Sequence, residues 1–172
     1  MSRAFVRESD DSKDEPQPRP RPQLAPGLKN PITPAGAQRF RTELEALLES
    51  KRQLSGVAET VAFAEIEKQK RELETRIRVL QQILESVVVT PPPAIGRDRV
   101  CFGAKVLVRD ASGQGEAYRI VGLDETDPDH GHISWRSPLA RALLSRGAGE
   151  TILFQSPSGL LEFQIVSVTY DE

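Results

Sequence analysis

The stretch Ile133-Ser134-Trp135-Arg136-Ser137-Pro138-Leu139-Ala140-Arg141-Ala142-Leu143-Leu144 decides how this chain folds. Ile133 to Trp135 has the composition of a strand, and the strand must stop at Ser137-Pro138. Ser137 offers a hydroxyl to cap a helix. Pro138 suits the first helical position, because the N–H it lacks would be unpaired there. Leu139, Leu143 and Leu144 then share one helical face. Gly147 and Gly149 follow before the next apolar run. A strand, a short capped helix and a return strand make a compact α+β unit.

Strands extend on both sides of this unit. From Val100 onward the apolar period is two, so 104–109 reads as a strand, Asp110-Ala111-Ser112-Gly113 as a turn and 117–121 as the return strand. Segments 132–135, 151–154 and 161–168 add three more, with Pro157-Ser158-Gly159 turning the last pair into a hairpin. Five short strands and one helix over about 75 residues suffice for a small antiparallel α+β domain with its own core. Trp135 is expected as a core or interface anchor, and Cys101, between Val100 and Phe102, as a buried structural thiol. His130 and His132 flank Gly131 in a turn; with no convergent ligands beside them they read as surface histidines.

The first half has a different period. Thr33 is a good N-cap and Pro34 the matching first-turn proline. Phe40, Leu44, Leu47 and Leu54 begin an apolar series, and Ile66, Leu73, Ile77, Leu80, Leu84 and Val87 repeat on heptad steps. A heptad seam demands a partner helix, so the two series predict an antiparallel α-hairpin. Lys51 and Lys70 fall on seam positions toward the turn and should make that end wetter. Val87-Val88-Val89-Thr90 closes the second helix, and Pro91-Pro92-Pro93 forms a stiff connection. The expected organisation is a disordered Pro-rich tail (1–31), a coiled-coil hairpin (32–90), a linker (91–99) and a sheet domain (100–172).

Whole-chain totals narrow the function. Lys and Arg number 23 against 25 Asp and Glu, a formal net charge of −2. Nucleic-acid binding driven by overall charge is excluded, and DNA contact is not indicated. A single cysteine excludes a disulfide framework and a multi-cysteine zinc site. No apolar run approaches the roughly 20 residues that cross a bilayer, and no signal-peptide pattern stands at Met1–Asp10. A cytoplasmic, monomeric protein without membrane contact is the expectation.

Several motifs in order resemble the bacterial Gre transcript-cleavage factors (GreA/GreB). They are Ile32-Thr33-Pro34-Ala35-Gly36, Arg76-Ile77-Arg78-Val79-Leu80, Phe102-Gly103-Ala104-Lys105-Val106, Tyr118-Arg119-Ile120-Val121-Gly122 with Asp124-Glu125, and Ser137 to Leu144. The resemblance implies an N-terminal antiparallel coiled-coil hairpin followed by an FKBP-like antiparallel sheet domain with one short helix. It implies RNA polymerase as partner, with Asp124, Glu125, Arg136, Ser137, Pro138 and Arg141 as the docking residues and the hairpin directed at the secondary channel. The residue before Ser137 is often acidic in the family; here it is Arg136, a reversal that would weaken or retarget docking.

In that family an Asp and a Glu at the hairpin tip help hold a second Mg²⁺ in the polymerase active site. A hard cation wants carboxylate oxygens, and a two-metal site activates water. Here the corresponding tip carries Gly56 where the Asp belongs, Glu59 at the Glu and Phe63 at the Tyr. The hairpin is also shorter than in the family by about eleven residues, about 8 Å of reach per arm at 1.5 Å per residue. Glu59 is therefore the one weak candidate for catalysis. The chain is expected to hold no metal or cofactor of its own, Mg²⁺ belonging to the polymerase. Lys68, Lys70 and Arg71, with Arg76 and Arg78, resemble a patch that meets the RNA 3′ end; pairing with Glu67, Glu72 and Glu74 along the helix is the other explanation. Glu59, Glu65 and Glu67 form either an acidic tip or a solvated face. Three functions stay open: a polymerase-binding modulator of elongation without efficient cleavage, an active GreB-like cleavage stimulator, and a general protein-binding or chaperone-like module.

Overall fold

The computed structural model describes residues 29–55, 63–156 and 159–170. Strand β1 (Asn30–Ile32) leads into helix α1 (Pro34–Ser55); helix α2 (Phe63–Ser86) leads into strand β2 (Val87–Val89). The sheet domain follows as β3 (Lys105–Asp110), β4 (Gly115–Val121), β5 (His132–Ser134), α3 (Pro138–Leu143), β6 (Thr151–Ser156) and β7 (Gly159–Thr169).

The helical hairpin forms as expected, and its base is built differently from the expectation. Asn30 and Pro31 belong to β1, not to a disordered tail. Val87–Val89 leaves the helix and pairs in parallel with β1, Ile32 opposite Val89. Three successive β-branched residues are stiff at χ1 and fit an extended strand better than a last helical turn. Thr90 N–H adds a hydrogen bond to Ile32 O at 2.8 Å. Ile32, Ala37, Phe40, Leu80 and Ile83 are buried in this base, with Leu44, Leu47, Leu84 and Val87 packed against them. Ile32 broadens the seam here, so Ile83 and Leu84 both face it.

Toward the tip the seam turns ionic. Lys51 reaches Glu74 at 2.8 Å, and Arg76 reaches Glu43 at 2.6 Å across the hairpin. Lys70 pairs with Glu67 at 3.0 Å within α2. Lys51 therefore joins the arms by charge where apolar packing thins, whereas Lys70 is paired within its own helix. Such exposed pairs contribute little stability each.

The second unit is a five-stranded sheet in the order β5-β4-β3-β7-β6. It is antiparallel except for β4 and β5, which pair in parallel with Ile120 opposite Ile133. The expected all-antiparallel sheet is thus corrected to a mixed one. The connection 122–131, through 3-10 turns at Leu123–Glu125 and Pro128–His130, carries the chain back alongside Arg119 of β4, where β5 begins. α3 packs on one face, burying Leu139, Ala140 and Leu143 over Val106, Val108, Ile120 and Ile165. Cys101 is only half-buried. The outer strand β6 contains no charged residue, and its Leu153 is 58% exposed.

Segment 90–99 contains no helix or strand. Val100 N–H donates to Arg146 O at 2.7 Å, and Tyr170 closes the domain over this entry. The Tyr170 hydroxyl donates to Arg99 O at 2.6 Å and accepts from Cys101 N–H at 2.9 Å. Burial, the largest cause, pushes the Tyr170 hydroxyl up to about 12.

Leu80→Ala should cost about 2–5 kcal/mol, because it empties the fully buried centre of the hairpin base; urea unfolding measures it. Tyr170 stays neutral more readily in the folded state, so its contribution holds below its unfolded value near 10 and fades as pH rises through about 12. Tyr170→Phe should remove about 1 kcal/mol at neutral pH and show a smaller stability loss than the parent between those pH values.

Candidate functional site

The two units meet where α1 begins. Thr33 caps α1: its hydroxyl accepts from Gly36 N–H at 3.0 Å, and its carbonyl accepts from Ala37 N–H at 2.9 Å. The same hydroxyl donates to the Glu125 carboxylate, and Thr33 N–H donates to Glu125 Oε2 at 2.9 Å. Gly122 N–H donates to that oxygen as well, also at 2.9 Å. Glu125 is 3% exposed. One buried carboxylate therefore satisfies donors from both units. Beside it, Asn30 Nδ2 donates to Asp124 Oδ2 at 2.9 Å.

Two glycines make this approach physically feasible. A Cβ on Gly36 would stand 1.9 Å from Glu125 Oε1, and one on Gly122 would stand 2.2 Å from Pro31 O. Both glycines exist here because side chains would collide with the joint, which explains the spacing Thr33-x-x-Gly36 and Gly122-x-x-Glu125. The triple proline is thus not the sole connection between the units. The burial of Glu125 also corrects its expected place on a docking surface: its oxygens are occupied within the chain. Asp124 is half-buried and engaged at the same joint.

Arg136, Ser137, Pro138 and Arg141 lie together at the exposed turn between β5 and α3. Ser137 is the N-cap, its Oγ accepting from Ala140 N–H at 3.1 Å, and Pro138 holds the first helical position. Arg141 N–H donates to Ser137 O at 3.0 Å. Arg136 and Arg141 are exposed, and neither forms an ion pair among the described residues. Trp135 packs against the domain core, so the turn stands on a rigid base. This turn presents two uncompensated cations around a capped helix start, a surface suited to a carboxylate-bearing partner.

Gly56 and Glu59 lie outside the described residues. Phe63 opens α2. Lys68 and Arg71 are exposed on α2, while Lys70 is tied to Glu67. Arg76 pairs with Glu43 of α1, not with Glu72 or Glu74. The basic stretch is therefore partly spent on the hairpin, leaving Lys68, Arg71 and Arg78 as its outward cations. Among the described residues, no group of three or more His, Cys, Asp or Glu is placed to hold a metal ion. No helix among them is long and apolar enough to cross a membrane.

The two histidines differ, which the sequence reading missed. His130 is exposed and its Nδ1 meets Asp127 Oδ2 at 2.8 Å. His132 is half-buried beside Arg119 and Arg39. Its imidazole is held below the usual range, first by burial and then by those two guanidiniums. The period-two pattern assigned His132 to a strand, but only the β4–β5 pairing and the approach of the start of α1 reveal Arg119 and Arg39 as its neighbours.

Residues 95–170 match the family model "Transcription elongation factor, GreA/GreB, C-term". The chain is 37% identical to transcription elongation factor GreB of Neisseria meningitidis, over 83% of this chain and 94% of that protein. It is 31% identical to transcription elongation factor GreA of Nautilia profundicola, over 84% and 96% respectively. The chain belongs to the GreA/GreB family. A solved GreA/GreB structure from Nitrosomonas europaea is 25% identical, covering 83% of this chain and all of that one (100%), with a TM-score of 0.41.

In this GreA/GreB member, the Thr33-x-x-Gly36 and Gly122-x-Asp124-Glu125 motifs are the two halves of one joint. Glu125→Ala should destabilise the protein by at least about 2 kcal/mol, because it leaves buried N–H groups of Thr33 and Gly122 without an acceptor. Gly36→Ala should loosen the joint while α1 itself persists. Faster amide hydrogen exchange at Thr33 and Gly122, with unchanged helical circular dichroism, is the expected result.

Proposed function

We propose that this protein acts in transcription elongation by binding RNA polymerase through the Arg136–Arg141 turn and directing its hairpin at the secondary channel, without efficient transcript cleavage. Membership of the GreA/GreB family supports the role in elongation. The docking turn is supported by its rigidity and charge: a capped, proline-started helix end between two exposed arginines. Charges at the rim of such a surface act mainly on encounter rate and salt dependence.

The observation that carries the loss of cleavage is the tip sequence. From Gly56 to Phe63 the one carboxylate is Glu59. Holding a second metal in the polymerase active site requires oxygen ligands the tip does not supply in the expected pair. Mg²⁺ in this scheme belongs to the polymerase, and the chain acts as a monomer. Lys68, Arg71 and Arg78 are the outward cations available to the phosphates of a nascent RNA end.

The test uses purified protein and backtracked elongation complexes. The expected outcome is no 3′ shortening of the RNA, together with dose-dependent blocking of a full-length cleavage factor. Rapid shortening that disappears in Glu59→Ala would instead establish an active cleavage stimulator. Arg136→Glu combined with Arg141→Glu should weaken co-elution with polymerase at least tenfold, about 1.4 kcal/mol, with unchanged thermal stability. Absence of any polymerase binding by the parent would leave the general protein-binding module.

A further inference from the structure

A second site lies against the joint, and the role in elongation does not use it. Between α1 and the β4–β5 edge is a cavity of about 150 Å³. Arg39 reaches it from α1, Arg119 from β4 and His132 from β5. Arg39 lies over the Phe40 ring, its guanidinium 5.2 Å from the centroid, and forms no ion pair among the described residues. Glu125 also borders the cavity, with its oxygens turned to Thr33 and Gly122. The other polar side chains on the wall are Thr33, Arg39, Arg119 and His132. The lowered basicity of His132, caused after burial by Arg119 and Arg39, is the electrostatic signature of that wall.

We infer that the Arg39–Arg119–His132 cavity binds a small free oxyanion of the phosphate class. Guanidiniums match phosphoryl oxygens with paired N–H donors, and the neutral His132 imidazole has one N–H to add. The cavity has room for a phosphoryl group beside these donors. Because the three side chains come from both units, a bound oxyanion ties the hairpin to the sheet domain.

The experiment follows the His132 ring resonances of the full chain by NMR. Sodium phosphate replaces sodium chloride at constant ionic strength in a non-phosphate buffer. The expected result is a saturable His132 shift and a rise in its apparent pKa, because the anion offsets the neighbouring guanidiniums, while His130 is unchanged. Arg39→Gln should weaken the response at least tenfold; Arg41→Gln, an exposed cation on the same helix outside the cavity, should leave it intact. Pyrophosphate should compete and adenosine 5′-monophosphate should not. A linear response, an equal response to chloride, or full binding by Arg39→Gln overturns the site. Equal competition by the mononucleotide overturns the free-ion assignment in favour of a nucleotide phosphate. Thermal melting of each variant without phosphate verifies that Arg39→Gln remains folded.

Discussion

Glu125 is the constraint around which the rest of this molecule is arranged. A buried carboxylate is costly unless its oxygens are satisfied. Here the satisfying donors come from the first residue of the hairpin and from the turn after β4. Neither unit can satisfy the group alone. The helix cap, the turn and the relative placement of the units therefore stand or fall together. Gly36 and Gly122 are consequences of the same closeness, since a methyl group at either would strike the joint.

The hairpin changes character along its length. At the base, Ile32, Phe40, Leu80 and Ile83 make a dry core continuous with the β1–β2 pair. Further out, Lys51–Glu74 and Arg76–Glu43 join the arms through charge. Rigidity is concentrated near the sheet domain, where aim is set. The far end depends on weaker, salt-sensitive pairs.

Much of this was legible in the chain itself. Ser137-Pro138 announced its cap, the heptad steps announced the paired helices, and the period-two runs announced the strands of the larger sheet. These are local signals, carried by neighbours in sequence. The small parallel sheet was not legible, because Val87–Val89 continues a helical apolar series and Asn30-Pro31 ends a proline-rich run. Nothing local distinguishes them until they meet across the hairpin base. Glu125 resembled a surface acid for the same reason: its partner Thr33 is 92 residues away. His132 likewise acquires Arg119 only through the β4–β5 pairing and Arg39 only through the approach of α1.

The joint also works as the pivot of a pointer. α1 has 22 residues, and at 1.5 Å per residue its far end stands about 33 Å from Thr33. A tilt of about 5° at the base would move that end by about 3 Å over the same length, as much as one hydrogen-bond distance. Pointing accuracy at the tip is therefore decided by methyl-sized clearances at Gly36 and Gly122, far from whatever the hairpin touches. Sequence drift along the shaft can be absorbed by rotamers and solvent, whereas one added carbon at the pivot is magnified along its whole length.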